Sequence, residues 1–270
     1  MSHLPKLFAL SFMLVCCTTS KLEVIADLPH NLNEVSAIET TTQSELLWVI
    51  EDSGNKNNLY GLDGLGNIIK NIDLKPYGNV DWEDLTSDKE GNIYIGDFGN
   101  NSKKRKEFTI LKVKAPHKIE NNPEIGSIQF RLPKDMKSQD FEAFFLSDGL
   151  FYIFSKAYGK CYLITVPNSP GKHTATLKKE FKLDSKRNRI TSADISDDGQ
   201  TVVLLNHDKV WKLTDYIDDN FFDGERKQLK FHHLSQKEGV CFKSKNQLLI
   251  TDERGRSRDS NIYLFNMDTN

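Results

Sequence analysis

Short apolar runs rich in β-branched and aromatic residues, each closed off by Gly, Asn, Asp or Ser, follow one another from Leu22 to Phe265. Runs of this length and composition predict β-strands. Dipeptides suited to tight turns, at Asp63-Gly64, Asp148-Gly149 and Asp198-Gly199, join consecutive runs, and no stretch keeps a helical period. The runs fall into groups of four. The first group covers 36–38, 46–50, 58–62 and 68–74; the second covers 83–85, 93–95, 108–113 and 127–132. The third covers 141–146, 150–154, 161–166 and 177–183, and the fourth 190–195, 202–205, 210–213 and 229–234. A fifth group has three runs, 239–242, 248–251 and 262–265, and its missing fourth is supplied at the other end of the chain by 22–28.

The first run of each group opens on a shared motif: Val35-Ser36-Ala37-Ile38, Trp82-Glu83-Asp84-Leu85, Phe141-Glu142-Ala143-Phe144, Thr191-Ser192-Ala193-Asp194 and Lys237-Glu238-Gly239-Val240. The steps from Ser36 to Glu83, Glu142, Ser192 and Glu238 are 47, 59, 50 and 46 residues. Strand groups repeating at this period predict propeller blades. The fold class is therefore all-β: a five-bladed β-propeller whose last blade is closed by the N-terminal strand. That strand ends on Leu28, as the outer runs end on Leu74, Leu132, Leu183 and Leu234. Closing the ring leaves only short, protected sheet edges.

The chain has 270 residues, enough for one propeller domain over 22–270. Its 36 basic and 38 acidic side chains nearly cancel, which gives no footprint for nucleic acid. Lys6 precedes an apolar run from Leu7 to Val15 that is too short to span a bilayer and has the length of a signal-peptide core. It leads into Cys16-Cys17. Residues 1–17 are thus expected to be a lipoprotein signal with Cys17 lipidated, on an exported protein anchored to a membrane and facing periplasm or cell surface. An ordinary cleaved signal is the alternative. Cys161 and Cys241 lie within strands of different groups, where buried free thiols fit better than a disulfide.

In a propeller the first strand of each blade lines the central channel. Ser36, Glu83, Glu142, Ser192 and Glu238 are then expected to ring the axis, with Glu34, Asp81, Asp140, Ile190 and Gln236 two residues nearer the mouth. Three converging glutamates need a counter-charge. Oxygen ligands of this kind suit calcium, and the lack of clustered His and Cys argues against zinc or copper. A channel filled with water is the other reading of the same residues.

The order Ser, Glu, Glu, Ser, Glu on the inner strands of a five-bladed ring resembles the central calcium site of the calcium-activated nucleotidases (soluble apyrases). Those are five-bladed propellers that hydrolyse nucleoside di- and triphosphates. Trp82-Glu83-Asp84-Leu85 with Tyr94-Ile95-Gly96-Asp97-Phe98-Gly99-Asn100 also resembles a group of exported bacterial propellers, and the SdiA-regulated propellers are a looser likeness. The repeat plan carries the resemblance over about residues 22–268, while its strong motifs are short. The apyrase substrate loops have no counterpart here, so nucleotidase activity does not follow.

Loops on the channel-mouth face bring further candidates. Asp52, Asp97 and Asp252, with His207, are candidate catalytic groups; Arg105, Lys156, Arg189 and Arg254 are candidates for binding an anionic substrate. Lys103, Lys104, Lys106, Lys186, Arg187, Arg256 and Arg258 add positive charge to the same loops, and His232 and His233 are expected on an outer strand, away from the channel. Two function classes remain. One is a calcium-dependent hydrolase of a phosphorylated or otherwise anionic small substrate; the other is a non-catalytic binding or scaffold propeller of the cell envelope in which calcium is structural. The expected partners are a small anionic ligand or an envelope component, with the chain a monomer and the lipid its only membrane contact. An acid/base pair converging beside the metal would separate the two classes.

Overall fold

The computed structural model describes residues 22–183, 189–254 and 260–268. Among them are twenty-one strands in five antiparallel-built sheets and a single 3-10 turn at Pro116–Lys118. Blade one is β2 (Val35–Thr41), β3 (Ser44–Glu51), β4 (Asn58–Leu62) and β5 (Ile68–Asp73). Blade two is β6 (Trp82–Ser87), β7 (Ile93–Asp97), β8 (Glu107–Val113) and β9 (Ile125–Arg131), extended by β13 (Gly171–Thr174). Blade three is β10 (Phe141–Ser147), β11 (Leu150–Ser155), β12 (Cys161–Pro167) and β14 (Thr176–Phe181). Blade four is β15 (Ser192–Ile195), β16 (Val202–Asn206), β17 (Lys209–Thr214) and β18 (Glu225–Lys230). Blade five is β19 (Lys237–Ser244), β20 (Gln247–Asp252), β21 (Asn261–Asn266) and, from the start of the chain, β1 (Leu22–Asp27).

The protein is a five-bladed β-propeller. Its inner strands touch in the closed cycle β2, β6, β10, β15, β19 and back to β2. β1 pairs antiparallel with β21, with Leu22 opposite Phe265 and Asp27 opposite Asn261, and completes blade five as the sequence pattern predicts. The core is not central but lies between blades. Five apolar clusters fill the five interfaces, such as Trp48, Ile50, Trp82, Leu85 and Ile95 between blades one and two. Burying a side chain of this size contributes about 1.5–3 kcal/mol, so each interface holds its two sheets together without help from the channel. Cys161 and Cys241 are buried free thiols.

Two elements differ from the sequence expectation. Blade four's outer strand is Glu225–Lys230 rather than 229–234, so Leu234 lies past it and is exposed. Blade two gains β13, which reaches out of blade three and pairs in parallel with β9, Gly171 opposite Ile128 and Thr174 opposite Arg131.

Polar side chains stitch the inner strands together. Asp84 is fully buried on β6 and accepts hydrogen bonds from its neighbour Leu85 N (3.0 Å), from Phe144 N on blade three (3.0 Å), and from Ala193 N (3.2 Å) and Ser192 Oγ (2.9 Å) on blade four. Asp194 Oδ2 accepts from Phe242 N at 2.7 Å, joining blades four and five. Thr40 Oγ1 donates to Phe242 O at 3.2 Å, joining five and one.

Candidate functional site

In four of the five inner strands the register slips at the second residue of the repeated motif: at Ser36, Glu83, Glu142 and Glu238. A β-bulge re-aims the side chain that it carries. The five motif positions do not then behave alike. Ser36 Oγ donates to Trp82 O at 3.0 Å, and Ser192 Oγ donates to Asp84 and accepts from Val240 N at 3.0 Å. Both serines join blades. The glutamates are different: Glu83, Glu142 and Glu238 are 6%, 2% and 8% exposed and share one electrostatic field.

At the centre of that field is Lys156, the residue after β11. Its Nζ lies 2.5 Å from Glu142 Oε2. Burial pushes the lysine down, but Glu142, Glu238 and Glu83 outweigh it and hold the amine above the ordinary lysine range. Burial pushes Glu142 up to about 8 against the pull of Lys156, with Asp140 and Glu238 adding to the rise. Glu83 is also well above the carboxylate range, through burial first and then through Glu142, Asp52 and Asp81. The other Glu142 oxygen, Oε1, is buried without a hydrogen-bond partner.

Glu83 belongs at the same time to a tight carboxylate group with Asp52 and Asp81, whose oxygens all lie within 4.8 Å of one another. Asp52 begins the loop after β3 and Asp81 immediately precedes β6. Gly99 makes the group sterically feasible. A Cβ at that position would collide with the carboxylates of both Glu83 and Asp81. Asp97 and Arg105 brace the group from behind. Arg105 pairs with Asp97 Oδ1 at 2.9 Å and donates to Gly99 O and Asp97 O, both at 3.0 Å, while Asp81 N donates to Asp97 Oδ1 at 3.3 Å. Beside the group is a cavity of about 330 Å3 lined by Ser53, Val80, Asp81, Asn100, Asn101, Ser102 and Arg105.

The remaining candidates divide. His207 Nε2 lies 3.2 Å from Glu238 Oε1, which puts an imidazole on the glutamate ring. Glu253 stands near it, pushed up to about 8 by burial and by Glu238, Asp52 and Glu34. Asp252, in contrast, accepts from Tyr263 Oη (2.7 Å) and Asn261 N (2.8 Å), so its carboxylate serves blade five. Arg254 donates to His30 O (2.8 Å) and Asn33 Oδ1 (3.3 Å). Arg189 stacks over Tyr158 at 5.1 Å. Arg105, Lys156 and the terminal nitrogens of Arg254 thus already meet protein acceptors, while Arg254 Nε is buried without one. Lys186, Arg187, Arg256, Arg258 and Cys17 lie outside the described residues.

Two residues carry roles that the sequence reading did not assign. Lys237 is wholly buried, pushed down to about 8 by burial, and donates to Ser235 Oγ (2.7 Å) and to His233 Nδ1 (3.0 Å) over the rings of Phe231 and Tyr263. His232 and His233 therefore sit in the loop leading into β19, not on an outer strand, because β18 lies four residues earlier and ends at Lys230. Gly99 is the other: its signal in sequence was only a glycine two residues after Asp97.

No protein-family model matches this chain, and no curated protein does. Among solved structures, a nidogen/laminin complex aligns with a TM-score of 0.49 at 10% identity, covering 82% of this chain and 73% of that one. The hydrazine synthase of Kuenenia stuttgartiensis aligns with a TM-score of 0.42 at 11% identity, covering 82% of this chain and 56% of that one.

Proposed function

We propose that this chain is an exported, lipid-anchored propeller that binds a divalent cation, calcium, at its channel mouth through Asp52, Asp81 and Glu83, with a small anionic ligand seated in the adjoining cavity. The observation that carries the reading is the three carboxylates within 4.8 Å of one another, packed against a glycine that leaves them room. Carboxylates held this close repel one another unless a cation or protons intervene. An all-oxygen donor set favours a hard cation. Export and the anchor rest on residues 1–17 of the sequence alone.

A hydrolase is the second reading, and the His207–Glu238 contact favours it. An imidazole held by a carboxylate beside a cation site is the acid/base element that hydrolysis of an anionic substrate needs. The engaged state of Arg105 and Arg254 favours instead the binding or scaffold propeller, in which the cation fixes the mouth.

The test is a thermal melt of the mature protein after EDTA treatment, with calcium, with magnesium and with neither. Calcium at about 100 times its dissociation constant stabilises by about 2.7 kcal/mol, a rise of roughly 5–10 °C at this size. A rise specific to calcium supports the site; no rise with either metal removes it. Screening phosphate esters against wild type and His207→Ala then separates hydrolase from binder.

A further inference from the structure

Lys156 is an enclosed cation beside the glutamates, its side chain 13% exposed; it pairs with Glu142 and feels the charge of Glu83, a member of the proposed cation site. We infer that Lys156 is a built-in competitor for that site: its ammonium neutralises the glutamate ring when no metal is bound, and a divalent cation must displace it from Glu142 to bind with full affinity. The inference rests on the proposed cation site.

Three observations point this way. Lys156 pairs with only one oxygen of Glu142; Oε1 is buried and makes no hydrogen bond to the protein. An unpaired buried carboxylate oxygen is costly, and a structure retains one where something else completes it. Glu83 sits in both groups, since it closes the cluster with Asp52 and Asp81 and also acts on Lys156. A cation bound there and the ammonium therefore share a carboxylate and repel each other across it. Finally, the geometry gives Lys156 somewhere to go. It is the first residue of the loop between β11 and β12, where Tyr158, two residues on, is 75% exposed. A flexible four-carbon stem at the head of an exposed loop swings outward without disturbing a strand.

The inference also orders the events at the mouth. Without metal, one ammonium among Glu83, Glu142 and Glu238 keeps the ring closed and its charge partly balanced. With metal, Glu142 turns to the cation and the lysine moves toward solvent, where it is placed to meet an anionic ligand. This reconciles the expectation that Lys156 binds substrate with its pairing to Glu142.

The full chain tests this by calcium titration calorimetry on wild type, Lys156→Met and Lys156→Arg. Lys156→Met is expected to bind calcium about tenfold or more tightly, because a like charge acting on Glu83 is removed, whereas Lys156→Arg stays close to wild type. Equal or weaker binding by Lys156→Met overturns the competition while leaving the cation site standing. Calcium binding by Lys156→Met alone supports it. No calcium binding by any of the three overturns both readings. Should Lys156→Met fail to fold, reductive methylation of wild type read by mass spectrometry decides. Calcium is expected to speed labelling of Lys156 several-fold, and unchanged or slower labelling overturns the inference.

Discussion

Single residues decide whether the channel mouth is a site at all. Gly99 is the clearest case, because its missing side chain leaves the volume that the Asp81 and Glu83 carboxylates occupy. Gly99→Ala is expected to abolish calcium-dependent stabilisation while lowering the metal-free melting point by only a few degrees, since flexible side-chain ends can move aside. Melts with and without calcium check this, and a retained calcium response would detach Gly99 from the site. Asp84 governs stability instead. It accepts four hydrogen bonds in a buried position and holds three blades. Asp84→Ala leaves three buried N–H groups and a hydroxyl unsatisfied and is expected to cost about 3 kcal/mol or more, read by urea unfolding. A loss below about 1 kcal/mol would show that the strands do not depend on it. Asp84 stands in the sequence beside a motif glutamate and Gly99 does not, and neither role was legible there. A hydrogen bond to residues 60 and 109 positions away has no local trace.

At the scale of elements, patterning was most readable where one face is buried and least where neither is. β1 was recognisable because Leu22, Ile25 and Leu28 keep an apolar series, and its role in closing blade five follows from counting strands. Deleting residues 22–28 is expected to abolish cooperative folding, because it strips the edge of β21 and removes Leu28 from the interface between blades five and one. Circular dichroism melts would check it; a truncated chain melting like the full one would mean that the ring closes otherwise. β18 shows the opposite case. Its sequence Glu-Arg-Lys-Gln-Leu-Lys has one buried residue, Leu229, and only pairing with β17 makes it a strand. β13 is likewise polar and gains its bonds from a neighbouring blade's edge. The bulges are a third kind of hidden feature, since a slipped register conserves the apolar run while turning one side chain.

For the whole molecule, the channel concentrates carboxylates that the closed ring desolvates together. Burial pushes Asp194 up to about 7 and, with the charge of Asp194 adding to it, Glu39 well above the carboxylate range. Such groups keep a proton in the folded state that the unfolded chain releases near pH 4. The folded protein therefore binds more protons between those values, and its stability is full below about pH 4 and falls as pH rises through about 7. The metal-free melting point is expected to drop by several degrees between pH 5 and pH 8, and Asp194→Asn to flatten part of the drop. A pH-independent melting point in both proteins would show that these carboxyls ionise normally. The same desolvation sets the mouth's carboxylates apart from its arginines. Arginines on the rim find backbone and side-chain acceptors nearby, whereas glutamates driven to the axis find mainly each other and Lys156.

The sequence by itself determined the class, the number of blades, the strand that closes the ring and the five motif positions that recur once per blade. Short apolar runs bounded by turn residues are written locally, and so is one motif per blade. Tertiary structure alone decided which of those five positions act together. It turned Ser36 and Ser192 into ties between blades, drew Asp52 and Asp81 from separate loops onto Glu83, and brought Lys156 to Glu142. The reason is physical: charges interact through distance and desolvation, and both are set by how the blades close around the axis rather than by the spacing of residues along the chain.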